Sequence, residues 1–240
     1  MIGKRIVGIL FVAILALVTV AIVRADPITP TTIDPLGSSR YVLSPAANYT
    51  AIAGNVTEIN FDAESITETW QGYFGNITGR IVLGNADNQA MYDWNLASPQ
   101  GEIFATRDAS VPTWGAVRCA NTSEMNVEET TNLGASSTAP DGIDETFAST
   151  THPEFLVGSQ TIGQNNCSTT NLYNDTGAQA AQFYEVLLSD GMSSDLIYTA
   201  LLESDKIGFD GRSHDFEMLV GENGHGNSDV STYYFYVELE

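Results

Sequence analysis

The chain has 240 residues, and its 30 acidic residues outnumber its 9 basic residues to give a formal net charge of −21. Residues 1–25 hold three of the basic residues and no acid, so the rest of the chain carries 6 basic and 30 acidic residues, a net charge of −24. Such a charge repels nucleic acid and anionic membrane surfaces, which excludes both as partners of this part of the chain. Copies of so acidic a chain need screening by salt or divalent cations before they can pack together.

The start of the chain, residues 1–25, has the pattern of a secretory signal peptide. Lys4 and Arg5 precede an apolar run over residues 6–23, and the residues before Asp26 permit cleavage there. Because the run reaches the lower limit for crossing a bilayer, an uncleaved N-terminal anchor is the alternative. We therefore expect the protein at the cell surface or secreted, touching the membrane only through an uncleaved leader.

Residues 26–50 form a proline-rich segment that contains four of the eight prolines of the chain. Proline at this density rules out a helix and predicts an extended arm. The arm serves either as a linker or as a strand offered to a partner, because a short strand-like island lies within it. The island consists of Arg40, Tyr41, Val42 and Leu43.

From residue 55 the sequence becomes rich in strand signals. Residues 55–62, 76–84 and 101–107 are strand-like, and the turn at residues 98–101 predicts a hairpin over residues 91–107. Residues 64–75 are ambiguous, because their first half suits a helix and their glycines favour a bent strand.

The second half of the chain begins with a long polar stretch, residues 120–180, which predicts elaborate loops. Strands are predicted after it, although helical spacing over residues 180–188 is the alternative. The chain closes on a strongly alternating strand, and the side chains expected on its core face are Tyr233, Phe235, Val237 and Leu239.

These elements predict an all-β fold. Eight to ten short strands with few helix candidates indicate one domain over residues 51–240, an Ig-like or jelly-roll-type β-sandwich with long decorated loops behind the N-terminal extended arm.

Two features indicate an oxidising exterior. The only cysteines are Cys119 and Cys167, and an even count behind a signal peptide predicts one disulfide. Glycosylation sequons (Asn-X-Ser/Thr) occur at Asn48, Asn55, Asn76, Asn121, Asn166 and Asn174.

Catalytic motifs are missing from the sequence. No H-E-x-x-H, G-x-S-x-G, Walker A or G-x-G-x-x-G pattern occurs, and the adjacent His214 and Asp215 are the one acid–base candidate. Calcium is the cofactor we consider. The residues of the first candidate loop are Asp205, Asp210 and Asp215, and those of the second are Asp141, Asp144 and Glu145. Ordinary acidic turns are the alternative.

The three tryptophans, Trp70, Trp94 and Trp114, lie on or beside predicted strands. We expect them in the core, and an exposed sugar-stacking surface is the alternative.

Taken together, a leader, an arm with a strand island, a β-rich Asn/Thr/Gly body with sequons and the terminal "TYYFYVELE" resemble secreted cell-surface proteins of archaea. In general plan the chain is similar to the β-sandwich subunits of archaeal extracellular filaments, the threads and bundling pili. In those families an N-terminal strand of one subunit completes the sheet of the next. The leader departs from type IV pilins, because Ile6 rather than a small residue follows Lys4-Arg5.

The resemblance implies a structural, non-enzymatic surface protein that assembles with copies of itself, with residues 40–43 as the donated strand. The alternative is a secreted module that binds glycans or other surface proteins, with calcium-stabilised loops. A secreted hydrolase is the third interpretation.

Overall fold

The computed structural model describes residues 25–222 and 230–239. The predicted leader therefore lies, apart from Ala25, outside the described residues. The strands are β1 (Trp70–Gly75), β2 (Gly79–Gly84), β3 (Ala90–Leu96), β4 (Gly101–Thr106), β5 (Val117–Cys119), β6 (Phe155–Val157), β7 (Gln160–Ile162), β8 (Thr169–Tyr173), β9 (Gln179–Asp190), β10 (Leu196–Leu201), β11 (Lys206–Ile207), β12 (Ser213–His214), β13 (Phe216–Gly221) and β14 (Tyr234–Leu239). The fold is thus all-β, as predicted.

Six strands form the central antiparallel sheet. Five of them follow the order β14-β4-β10-β9-β5. The sixth, β8, pairs with the same edge of β9 as β5 does. The remaining strands form four two-stranded sheets, β1-β13, β2-β3, β6-β7 and β11-β12. One large sheet with four small ones does not confirm the expected sandwich of two large sheets.

Both faces of the central sheet are buried. On one face, side chains such as Ile103, Leu187 and Tyr198 pack with Met218 and Val220 of β13 in a first core. On the other face, a second core is closed by Trp114 and by the β6-β7 hairpin; its members include Phe104, Val186, Leu188, Ile197, Phe155 and Val157. Every residue of β10 is buried as a result.

Short helices close one side of the first core. They are α1 (Thr122–Val127) and α2 (Ile143–Thr146), with a single π-helical turn over Glu128–Asn132. A separate 3₁₀ turn over Trp114–Ala116 carries Trp114 into the second core. The α1 helix begins with a capping box, in which the Asn121 side chain accepts from the Glu124 amide and the Glu124 carboxylate accepts from the Asn121 amide. No helix of the described residues is long and apolar enough to cross a membrane.

Three sequence predictions are wrong in detail. The predicted hairpin over residues 91–107 does not form, because β3 pairs with β2 while β4 pairs with β10 and β14. Residues 55–62 form no strand, and the first strand begins only at Trp70. The stretch of residues 120–180 contains two short helices and three strands besides its loops.

The predicted disulfide is present between Cys119 and Cys167, with Cα atoms 5.0 Å apart. Cys119 lies opposite Leu188 and Thr169 lies opposite Val186, so β5 and β8 run end to end along β9. The disulfide joins the two strand segments at the point where they meet.

Candidate assembly surface

The N-terminal arm is the largest exposed segment of the described chain. Residues 29–69 contain no helix and no strand, and almost all of residues 31–68 are exposed. Their exposed apolar side chains are Ile33, Leu36, Tyr41, Val42, Leu43, Tyr49, Ile52, Val56, Ile59 and Phe61. The irregular segment is longer than the predicted arm, which ended at residue 50. Because exposed apolar surface is unfavourable in water, these side chains make the arm a candidate contact surface.

The arm meets its own body at both ends: the Glu222 amide donates to the Thr69 carbonyl at 2.7 Å next to β1, and a backbone bridge forms at Ile28. The Ile28 amide donates to the Val237 carbonyl at 2.9 Å, and the Val237 amide donates to the Ile28 carbonyl at 2.7 Å. This antiparallel bridge lies on the edge of β14 that faces away from β4. Sequence reasoning missed Ile28, whose only signal was an apolar residue between two prolines.

Proline explains why the bridge does not become a strand. In an antiparallel ladder the next bonded pair after Ile28 and Val237 joins residue 30 to Phe235. Pro30 has no amide hydrogen and cannot donate to the Phe235 carbonyl. Within the described residues the bridge at Ile28 therefore stays isolated, and the edge of β14 toward Tyr233 is left open to another strand.

The side chains of this edge are fixed by both cores. Val237 is buried in the first core, and Tyr233, Phe235 and Leu239 pack against it, as their alternation predicted. Tyr236 points to the opposite face and packs in the second core, 5.2 Å from the Trp114 ring. A strand added at this edge would therefore extend a sheet that is already held in place.

The aspartates proposed for calcium do not form a metal site. The Asp215 carboxylate accepts from the Ile77 amide at 2.9 Å and from the Asp205 amide at 3.3 Å. Across residues 25–222 and 230–239, no group of three His, Cys, Asp or Glu side chains is placed to hold a metal ion. This includes both candidate loops, residues 205–215 and residues 141–145. The calcium hypothesis therefore has no support in the described residues.

His214 pairs with a different acid from the one its sequence neighbour suggested. Its Nε2 lies 2.8 Å from Asp210 Oδ1, while Asp215 holds backbone amides. Burial raises the pKa of Asp210, but hydrogen bonds from the Arg212 amide, the His214 ring and the Arg212 guanidinium outweigh it and lower the pKa to about 2. The arrangement stabilises a turn between β11 and β12 and does not form the predicted His214–Asp215 pair.

The tryptophans divide between core and surface. Trp114 is buried, and Trp70 packs edge-on against Tyr198 while its Nε1 donates to the Asp141 carbonyl. Trp94 is 49% exposed, and the expectation that it lies in the core is wrong. It lies on the β2-β3 hairpin beside Tyr92, which is 60% exposed.

The sequon asparagines lie at the surface. Five of them are exposed and Asn174 is half-buried. The Asn174 Oδ1 accepts hydrogen bonds from the Thr176 and Ala178 amides, and Asn121 caps α1, so both side chains also have structural roles.

One buried acid had no sequence signal. Glu185 is completely buried on β9, and its Oε2 accepts from the Leu219 amide at 2.8 Å, while its Oε1 has no hydrogen-bond partner in the described structure. Burial raises the pKa of Glu185 well above its usual value, against the opposing effect of the Leu219 hydrogen bond. Glu185 lies away from the arm and from the open edge of β14, and we assign it to the stability of the fold.

Comparison with known proteins returned no match: no family profile, no curated protein and no solved structure matches this chain.

Proposed function

We propose that this protein is a structural, non-enzymatic protein of the cell exterior whose copies join through the N-terminal arm. In this proposal residues 40–43 of one copy add as a strand to the open edge of β14 in the next copy. The observation that carries it is the exposed, irregular arm with its apolar side chains.

The chemistry of the two surfaces is complementary. An open strand edge offers backbone amides and carbonyls in a row, and an unstructured segment offers the same groups without partners. Alternation would place Tyr41 and Leu43 on one face of the added strand and Arg40 and Val42 on the other. Because arm and edge are different surfaces, the contact is heterologous, and repetition without ring closure yields a filament.

The charge of the chain sets a condition on assembly. Copies with a net charge of −24 outside the leader repel one another at low ionic strength. The proposal therefore places the protein in a saline or cation-containing exterior, in keeping with a disulfide and a predicted secretory leader.

The test uses residues 26–240 in high salt, with and without millimolar calcium, examined by light scattering and negative-stain microscopy. We expect polymers from the parent chain. Val42→Pro removes an amide donor and fixes φ inside the island, and should leave the protein unpolymerised. Ala47→Pro makes the same chemical change in the arm outside the island and should polymerise like the parent. A parent chain that never polymerises, or a Val42→Pro chain that polymerises normally, would refute the proposal.

A further inference from the structure

The free part of the β14 edge has a fixed hydrogen-bonding phase. Ile28 and Val237 exchange both backbone hydrogen bonds, so Val237 directs its amide and carbonyl away from β4. In an antiparallel strand every second residue does the same, which makes Phe235 the next such residue and Tyr233, just before β14, the one after it. Every ladder of the central sheet is antiparallel. A strand added beyond the bridge would therefore bond to Phe235 and to Tyr233.

Beside Phe235 lies a group of side chains that suits a guanidinium. The Tyr73 ring of β1 meets the Phe235 ring edge-on, with the ring centroids 5.5 Å apart, and Tyr73 is 38% exposed. The Glu222 carboxylate lies nearby and accepts from the Ser231 amide at 3.1 Å. Burial raises the pKa of Tyr73, and the negative charge of Glu222 raises it further. Arginine binds both aromatic rings and carboxylates. We call Tyr73, Phe235 and Glu222 the Tyr73 site.

The exposed arm contains a segment whose charge suits the Tyr73 site. Residues 35–57 hold no acid and one basic residue, Arg40, in a chain with 30 acidic residues, and no acid-free stretch after the leader is longer. Arg40 is also the only Lys or Arg between residues 26 and 79. Repulsion between two acidic copies is therefore weakest when one approaches the other through this segment, and Arg40 carries the charge that a carboxylate attracts.

We propose that Arg40 of one copy binds the Tyr73 site of the next copy and thereby sets the register of the donated strand. This inference rests on the proposed exchange of the arm and adds the residue pairs through which the exchange occurs. Arg40 lies opposite Phe235, and Val42 lies opposite Tyr233, so that the Val42 amide donates to the Tyr233 carbonyl.

A register shifted by one residue is the competing arrangement. It would put Tyr41 opposite Phe235 and Arg40 opposite Tyr236, on the other face of the sheet. Tyr236 is 3% exposed, so its ring offers no open surface to a guanidinium, whereas Tyr73 is accessible. The positions of the open rings therefore favour Arg40 opposite Phe235.

The first experiment tests the register by cross-linking between copies. Two versions of residues 26–240 are mixed in high salt under mild oxidation, one with Tyr41→Cys and the other, lengthened by a tag, with Tyr234→Cys. In the proposed register these positions form a non-bonded pair with Cα atoms about 4.5 Å apart, a separation that permits a disulfide. We expect a mixed dimer of the two lengths on a non-reducing gel. Val42→Cys in place of Tyr41→Cys is the matched control and should give little mixed dimer, whereas the shifted register would give the reverse result.

The second experiment tests the role of Arg40. Arg40→Gln and Glu222→Gln should each raise the concentration needed for polymers about ten-fold, because each removes one half of a charge pair that aromatic contacts reinforce. Two control variants should leave that concentration unchanged. Arg80→Gln removes a basic residue of the β2-β3 hairpin, and Asp108→Asn removes an acid near Tyr236 on the other face of the sheet. Thermal unfolding reports whether each variant is folded.

The outcomes separate the register from the exchange of the arm. A parent chain that never polymerises overturns both. Polymers that cross-link through Val42→Cys instead of Tyr41→Cys, or that give no mixed dimer with either variant, overturn the register and leave the exchange standing. Polymers that form as readily from Arg40→Gln as from the parent overturn the role of Arg40 in the same way.

Discussion

The disulfide between Cys119 and Cys167 allows a prediction whose size follows from the structure. The two residues are 48 positions apart, and the chain-entropy relation for a loop of that length gives about 13.6 cal/mol/K, or about 4 kcal/mol at 25 °C. Single domains typically unfold at a cost of roughly 5–15 kcal/mol, so loss of the cross-link should remove a large fraction of the total stability. The fold itself should survive, because β5 and β8 are held separately by their ladders to β9.

The measurement is urea unfolding of three samples: the oxidised protein, the same protein reduced, and the double variant Cys119→Ala/Cys167→Ala. Reduction keeps both sulfur atoms, whereas the variant also removes a side chain that is only 1% exposed at Cys167. We expect the reduced protein to lose about 4 kcal/mol and the variant to lose about 1 kcal/mol more from the cavity. The urea dependence should also steepen, because the unfolded chain expands without its cross-link.

The outcome that contradicts this reasoning is specific. If the free energies of unfolding of the reduced and oxidised proteins differ by less than about 1 kcal/mol, the unfolded chain does not gain the expected conformational entropy on reduction. If only the alanine variant is destabilised, the disulfide acts through packing in the second core.

Two further predictions concern the sheet. Glu185 binds its proton more tightly when folded, so the free energy of unfolding should fall as pH rises above the ordinary glutamate pKa of about 4.3, by at most about 1.4 kcal/mol per pH unit. Glu185→Gln should remove that fall in urea titrations at successive pH values, whereas Glu58→Gln in the exposed arm should not; an unchanged profile for Glu185→Gln contradicts a protonated carboxyl. Gly101→Ala should cost about 2–4 kcal/mol, because Gly101 has φ +123° and a Cβ would lie 2.1 Å from the Glu238 carbonyl oxygen. Gly134→Ala, at φ +63° in open space, should cost only about 1 kcal/mol, and equal losses at the two glycines would show that the close approach is unimportant.

The positions of strands could be predicted from sequence because the signals for a strand lie in its own residues. The pairing of strands could not be predicted, because it depends on residues elsewhere in the chain. The runs that became β4, β9, β10 and β14 were recognisable from β-branched and aromatic residues between turns. The short connection at residues 98–101 suggested that β3 and β4 are partners, yet β3 pairs with the strand before it, β2, and β4 pairs with β10 and β14, which come much later in the chain. Residues 55–62 carry similar strand signals but form no strand in the described structure.

The short helix α1 was missed although its signal was present. Asn121 followed three residues later by Glu124 is the capping-box spacing, here masked by a polar, loop-like composition. The candidate surfaces were predicted unevenly. The island at residues 40–43 was proposed from its composition and forms no strand in the described structure, so its role as a donated strand stays a prediction. Trp94 was wrongly assigned to the core, because alternation alone does not say which face of a hairpin is covered.

Because the arm is held at both ends, it is a loop rather than a tail. The bridge at Ile28 and the start of β1 at Trp70 enclose residues 29–69, which is 41 residues. At about 3.3 Å per residue the loop has a contour length of about 135 Å, and its midpoint can reach no more than about 68 Å from its anchors. A donated loop of this kind reaches a neighbour while both of its ends stay attached to the body. Only when the bridge at Ile28 breaks is the segment held by one end, at β1. The distance between joined copies is then set by the length of chain released and can vary while the strand contact itself stays the same.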